Sequence, residues 1–127
     1  MNTLPEVLKS VIEHAEIVTI ATCGADGPHL VATWAEYLRA LESGGMTLTA
    51  PAGGYRMTEK NLQNNARVQV LVGSKGVEGK HGMGTGYRLS GTASIQTSGE
   101  HAERARQKYP WARGALVIEV ETAEQLL

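Results

Sequence analysis

The 127-residue chain carries 12 Lys and Arg against 13 Asp and Glu, a formal charge of −1, with 42% hydrophobic and 20% charged residues. That balance fits one globular domain, residues 1–127, and excludes both a long disordered chain and a duplex-binding protein, which leans on clustered Lys and Arg. Cys23 is the only cysteine, so neither an intrachain disulfide nor a thiolate metal cluster can form within one chain, and a reducing compartment is expected.

The opening stretch MNTLPEVLKSVIEHAE interleaves charges with apolar positions, which reads as neither a signal peptide nor a membrane span, and a cytoplasmic location is expected. Thr3 and Glu6 have capping-box spacing around Pro5, and Leu4, Leu8, Val11, Ile12 and Ala15 share one helical face; a helix over 4–14 is predicted. IVTIATC (17–23) is β-branched and short, a strand, and Asp26-Gly27 then marks a tight turn. The segment 29–43 has a helical stripe of Trp34, Tyr37, Leu38 and Leu41, but its place after that turn favours the second strand of a hairpin. MTLTAP (46–51) alternates as a strand, a short helix is expected near 57–65, and ARVQVLV (66–72) alternates cleanly. Residues 73–86 are glycine-rich and hold several basic residues. YRLSGTASIQT (87–97) is a strand, Ser98 can cap a polar helix over 99–108 with Glu100 and Arg104 paired at i,i+4, and ALVIEVE (115–121) is the last strand. The sum is a mostly β protein: a six-stranded antiparallel barrel with short flanking helices.

Several motifs fail on inspection. Gly82, Gly84 and Gly86 have the wrong spacing for a dinucleotide fingerprint and precede a strand rather than a helix. Gly79-Lys80 lacks the rest of a P-loop, because Ser74 and His81 stand where Gly and Ser or Thr are required. His14, His29, His81 and His101 show no zinc-site spacing.

Two constellations remain. Gly53-Gly54-Tyr55-Arg56-Met57-Thr58 joins two glycines, whose backbone can approach a ligand closely, to the start of a helix, whose free N–H groups suit a phosphate. Arg56 and Lys60 add positive charge and Thr58 a hydroxyl; the alternative is a plain loop with Thr58 as an ordinary N-cap. Thr33-Trp34 with Tyr37, and Trp111 after Pro110, could flank a planar ring or could simply be core aromatics.

Four stretches together carry a resemblance: IATCGADGPHLVATWAEYL (20–38), PAGGYRMTEKNL (51–62), GSKGVEGKHGMGTGYRLSGTA (73–93) and WARGALVIEVETAEQLL (111–127). In order and spacing the chain resembles the pyridoxamine 5'-phosphate oxidase-like FMN-binding split-barrel superfamily, in particular its small members from sulfate-reducing bacteria. The resemblance implies a six-stranded split barrel that forms a homodimer with one FMN per subunit near the interface. It implies that Thr33 and Trp34 lie beside the isoalloxazine, and that Pro51, Gly53 and Gly54 border the flavin edge. It places Thr58 at the phosphate, and Trp111 and Leu127 as a shield over the flavin, without fixing which subunit supplies either. Two departures stand out: Met57 occupies a position where relatives often carry Lys, with Arg56 one residue earlier, and Ala32 stands where a polar side chain would offer a hydrogen bond.

The function implied is FMN-dependent redox chemistry, electron transfer or flavin reduction, with a redox partner that the residues do not identify. Three alternatives stand beside it. Pyridoxamine-phosphate oxidation lacks a second basic cluster beyond residue 113. A haem protein on the same barrel would take His81 or His101 as axial ligand. A flavin-free regulatory dimer is kept open by Met57 and Ala32.

Overall fold

The computed structural model describes residues 3–41 and 44–127. Three helices, α1 (Glu6–His14), α2 (Arg56–Asn64) and α3 (Glu100–Lys108), accompany seven strands: β1 (Ile17–Gly24), β2 (Gly27–Trp34), β3 (Arg39–Ala40), β4 (Thr47–Ala52), β5 (Arg67–Gly79), β6 (Gly82–Gln96) and β7 (Gly114–Leu126). They form one antiparallel sheet in the order β2-β1-β5-β6-β7-β4-β3, curled as a split barrel with β2 and β3 at its edges.

The alternation of the sequence becomes the core directly. Val18 and Ile20 of β1, Val68, Val70 and Val72 of β5, Leu89 of β6, Leu116 and Ile118 of β7, and Leu48 of β4 all turn inward and are buried, because successive strand side chains point to opposite faces. Leu4, Leu8 and Val11 of the N-terminal segment complete the same cluster, so α1 closes the barrel with its apolar stripe.

Three expectations are corrected. The segment 29–43 is not one strand: β2 ends at Trp34, Ala35–Tyr37 form a single 3-10 turn, and only Arg39 and Ala40 pair with β4. This split is why there are seven strands rather than six; the end of the expected strand, 42 and 43, lies outside the described residues. The glycine-rich stretch 73–86, to which the sequence assigns no element, forms the outer arm of a hairpin, with Gly73 opposite Gly86 and Gly79 opposite Gly82. Ladder hydrogen bonds hold it regardless of propensity. Neither Thr3 nor Ser98 caps a helix: the cap positions are Pro5 and Gly99, without side-chain capping bonds. The Glu100–Arg104 pair does form, at 2.8 Å.

One glycine shapes the barrel wall. The β6–β7 register shifts between Ser90 and Gly91, and a Cβ on Gly91 would collide with the Glu119 carbonyl. The bulge therefore requires glycine and bends the longest strand of the sheet.

Among the described residues no helix is long and apolar enough to cross a membrane, and no group of three or more His, Cys, Asp or Glu is placed to hold a metal ion.

Candidate functional site

The sheet's free edge at β2 faces the connection from β4 into α2 across a groove of about 440 Å³. Strand β2 contributes His29, Val31, Ala32 and Thr33; the connection contributes Pro51, Gly53, Gly54 and Tyr55; α2 contributes Arg56, Met57 and Thr58; and Trp111 closes one side. Eight of the ten residues expected from the sequence meet here. Trp34 and Leu127 do not.

The first turn of α2 is the groove's polar end. Tyr55 is the N-cap, held at φ 64°, ψ 30°, with no side-chain cap. The first intrahelical bond runs from the Glu59 N–H to the Tyr55 carbonyl at 2.8 Å, which leaves the N–H groups of Arg56, Met57 and Thr58 without helical partners. Thr58 is thus the third helical residue and not the cap, so capping does not account for its hydroxyl. Its Oγ1 is buried and has no hydrogen-bond partner, with the residue 1% exposed. Arg56 and Met57 are exposed, and Arg56 has no ion-pair partner among the described residues.

Tyr55 carries the second orphaned hydroxyl. Burial pushes its pKa above the ordinary 10.0, and the neighbouring Thr33 side chain offsets only part of that. The two side chains approach one another without reaching a good hydrogen-bond geometry, so the Tyr55 Oη stays a neutral, unpaired donor at the groove wall.

The Gly53-Gly54 loop is held from behind by Arg113. Its Nε donates to the Gly53 carbonyl at 3.0 Å and its Nη2 to the Gly54 carbonyl at 2.7 Å, while Nη2 also meets Glu59 Oε1 of α2 at 2.9 Å. Both side chains of this ion pair are about four-fifths buried, at 19% and 22% exposure. Arg106 of α3 extends the chain by donating to the Arg113 carbonyl at 3.0 Å. With its carbonyls engaged behind it, the loop is fixed at the groove. Gly53 packs closely on Trp111: a Cβ there would sit 3.1 Å from the ring, which would have to shift by a few tenths of an ångström.

Trp111 leads away from the groove into an aromatic cluster. Its ring lies 5.7 Å from Tyr37 and 5.5 Å from Tyr109, which are themselves 5.0 Å apart edge to face. Tyr37 therefore joins Trp111 rather than Trp34. Trp34 pairs with Ile17 on the opposite face of β2 from Thr33, and Leu127 lies with Leu71 and Met83 beside the β5–β6 arm, its carbonyl accepting from the Lys80 N–H at 2.9 Å. His101 and His81 lie outside the groove, in two different depressions.

Sequence reasoning missed His29, Val31, Tyr55 and Arg113. Tyr55 sits inside the quoted Gly-Gly motif and Arg113 two residues after Trp111, so both were adjacent to the signal. Only the fold shows that Arg113 reaches back sixty residues to Gly53.

A sequence profile described as Pyridoxamine 5'-phosphate oxidase matches residues 4–126. The chain is 44% identical over 124 residues to a protein named FMN-binding protein from Nitratidesulfovibrio vulgaris (strain DSM 19637 / Miyazaki F), covering 98% of this chain and 99% of that one. Among solved structures, HupZ of Group A Streptococcus superposes with a TM-score of 0.76 at 22% identity, over 97% of this chain and 94% of HupZ. A protein titled FMN-binding from Syntrophomonas wolfei subsp. wolfei superposes at 0.69 with 17% identity, over 96% and 87%. At those identities the two structures establish the fold alone.

Proposed function

The chain belongs to the pyridoxamine 5'-phosphate oxidase family, and on that premise we propose that it is an FMN-binding redox protein whose cofactor occupies the groove between β2 and α2. The observation that carries this reading is the Thr58 hydroxyl, buried and unpartnered in the first turn of α2. A buried hydroxyl without a partner costs stability. Beside three free N–H groups and Arg56, it makes a set of donors suited to a phosphate. The similar protein from Nitratidesulfovibrio vulgaris is named for FMN, a cofactor that supplies such a phosphate.

When bound, FMN supplies the redox chemistry. The chain's residues bind and orient it. Thr58 and the α2 N-terminus hold the phosphate, with Arg56 standing in for the Lys that Met57 replaces. Arg113 keeps the Gly53-Gly54 loop in place along the ring, and Tyr55 Oη offers a neutral donor from the wall. Trp111 excludes water on one side. Electron transfer or flavin reduction needs no further catalytic group, which is why it is favoured over oxidation of a specific small substrate.

We further propose a homodimer. Ile17, Leu30, Trp34 and Leu71 are each at least half exposed and lie on one outer face of β1, β2 and β5, with Met83 and Leu127 at its margin. So large an exposed apolar patch marks an interface.

The test is the visible spectrum of the purified protein with identification of any released chromophore, followed by FMN titration of Thr58→Val. The wild type is expected to carry or rebind FMN. The isosteric variant should fold normally and bind FMN about tenfold more weakly, as befits one lost bond to a charged group. A colourless wild type that does not take up FMN would overturn the reading.

A further inference from the structure

A second depression of about 520 Å³ lies on the other side of the aromatic cluster from the cofactor groove. Its wall includes Arg39, His101, Arg104 and Lys108, with Tyr37 and Tyr109 between them, and it includes no carboxylate. In a chain with more acidic than basic residues this segregation is a strong local departure. Arg104 pairs with the exposed Glu100 at 2.8 Å, which offsets part of its charge and leaves Arg39 and Lys108 as the wall's unpaired cations among the described residues. Lys108 rests over the Tyr109 ring at 5.7 Å.

This basic depression is joined to the cofactor groove by side chains they share or that touch. Pro51 lines both. Trp111 of the groove contacts Tyr37 and Tyr109 of the depression. Hydride or proton transfer would require a molecule in the depression to reach past these rings and touch a cofactor in the groove. An electron needs no such contact. We propose that this face docks an acidic one-electron carrier protein, an inference that rests on the redox reading above. In each encounter one electron leaves the reduced carrier and enters the bound cofactor across the aromatic wall; the carrier is oxidised, the cofactor is reduced, and no covalent bond is made or broken between the proteins. Opposed charge on carrier and depression would speed their encounter and fix its orientation.

The experiment titrates the FMN-loaded full chain with a plant-type [2Fe–2S] ferredoxin, chosen for its net negative charge, and with mitochondrial cytochrome c as a basic carrier. Calorimetry gives Kd at low and at physiological salt. The ferredoxin should bind more tightly than cytochrome c, and its affinity should fall steeply with salt. Reversal of charge in Arg104→Glu/Lys108→Glu should weaken ferredoxin binding about tenfold or more and shift preference toward cytochrome c. The milder Arg104→Gln/Lys108→Gln pair should show the same direction without introducing repulsion. Bound-flavin absorbance, read on the same samples, separates the two readings. A yellow protein that does not prefer ferredoxin, or whose preference survives both variants, overturns the docking surface and leaves the cofactor assignment standing. A protein that takes up no FMN yet shows salt- and variant-sensitive ferredoxin binding removes the cofactor and with it the electron-transfer role, leaving only a basic docking face. Saturation by inorganic phosphate with no preference between carriers would assign the depression to small anions and overturn the proposal.

Discussion

Thr58 and Tyr55 hold the two buried hydroxyls without partners, and they carry different amounts of sequence signal. Thr58 was legible as a candidate ligand residue because a hydroxyl near a helix start, after two glycines, is a recognisable donor set. Tyr55 was not, because nothing in the sequence shows that it takes the left-handed conformation and turns its phenol toward Thr33. Removing an unsatisfied hydroxyl relieves its desolvation cost. Tyr55→Phe is therefore expected to leave the cofactor-free protein as stable or more stable, by up to about 1 kcal/mol in urea unfolding, while weakening FMN binding. The pH dependence follows in sign. The folded pKa lies above 10.0, so the stability due to the neutral phenol is complete below pH 10 and is lost as pH rises through the folded value. Unfolding measured across that range should show wild type declining relative to Tyr55→Phe, and parallel curves would contradict the burial.

The connection between β4 and α2 is positioned by an element far from it in sequence. Arg113, just before β7, ties the Gly53 and Gly54 carbonyls and Glu59 together. Arg113→Ala would leave Glu59 and two carbonyls without their partner. Because the pair is about a fifth exposed, a loss of about 2–3 kcal/mol is expected rather than the larger cost of a fully enclosed pair. Urea unfolding gives that figure, and FMN titration should show weaker binding even where the fold persists; Arg113→Lys, which keeps the charge but not the planar fork, should fall between the two. At this scale the sequence was readable where periodicity was strong. Helix α2 spans 56–64 against an expected 57–65, and α3 spans 100–108 against 99–108. It was silent at 73–86, where glycine-rich composition names no element while pairing between β5 and β6 makes a hairpin arm.

At the scale of the molecule, the sheet order β2-β1-β5-β6-β7-β4-β3 brings β2 and the end of β4 to the two sides of one opening. It also leaves an apolar outer face unpartnered. If a second copy covers that face, Leu71→Glu should convert a dimer into a monomer in sedimentation and lower FMN retention, since Leu71 itself lies outside the groove. A wild type that sediments as a monomer would refute the homodimer.

By itself the sequence determined the mostly β class, the helices, the inward-facing residues and the Gly53–Thr58 segment. Each of these is written in local spacing: a period of two, a period of 3.6, or adjacent residues of fitting chemistry. Tertiary structure alone decided that Arg113 clamps Gly53, that Thr33 and Trp34 serve opposite faces, and that Tyr37 and Tyr109 join Trp111 beside a basic depression. Those relations join residues distant in the chain, or turn on a single dihedral or a one-residue step in register, and such geometry is set by the packing of the whole sheet.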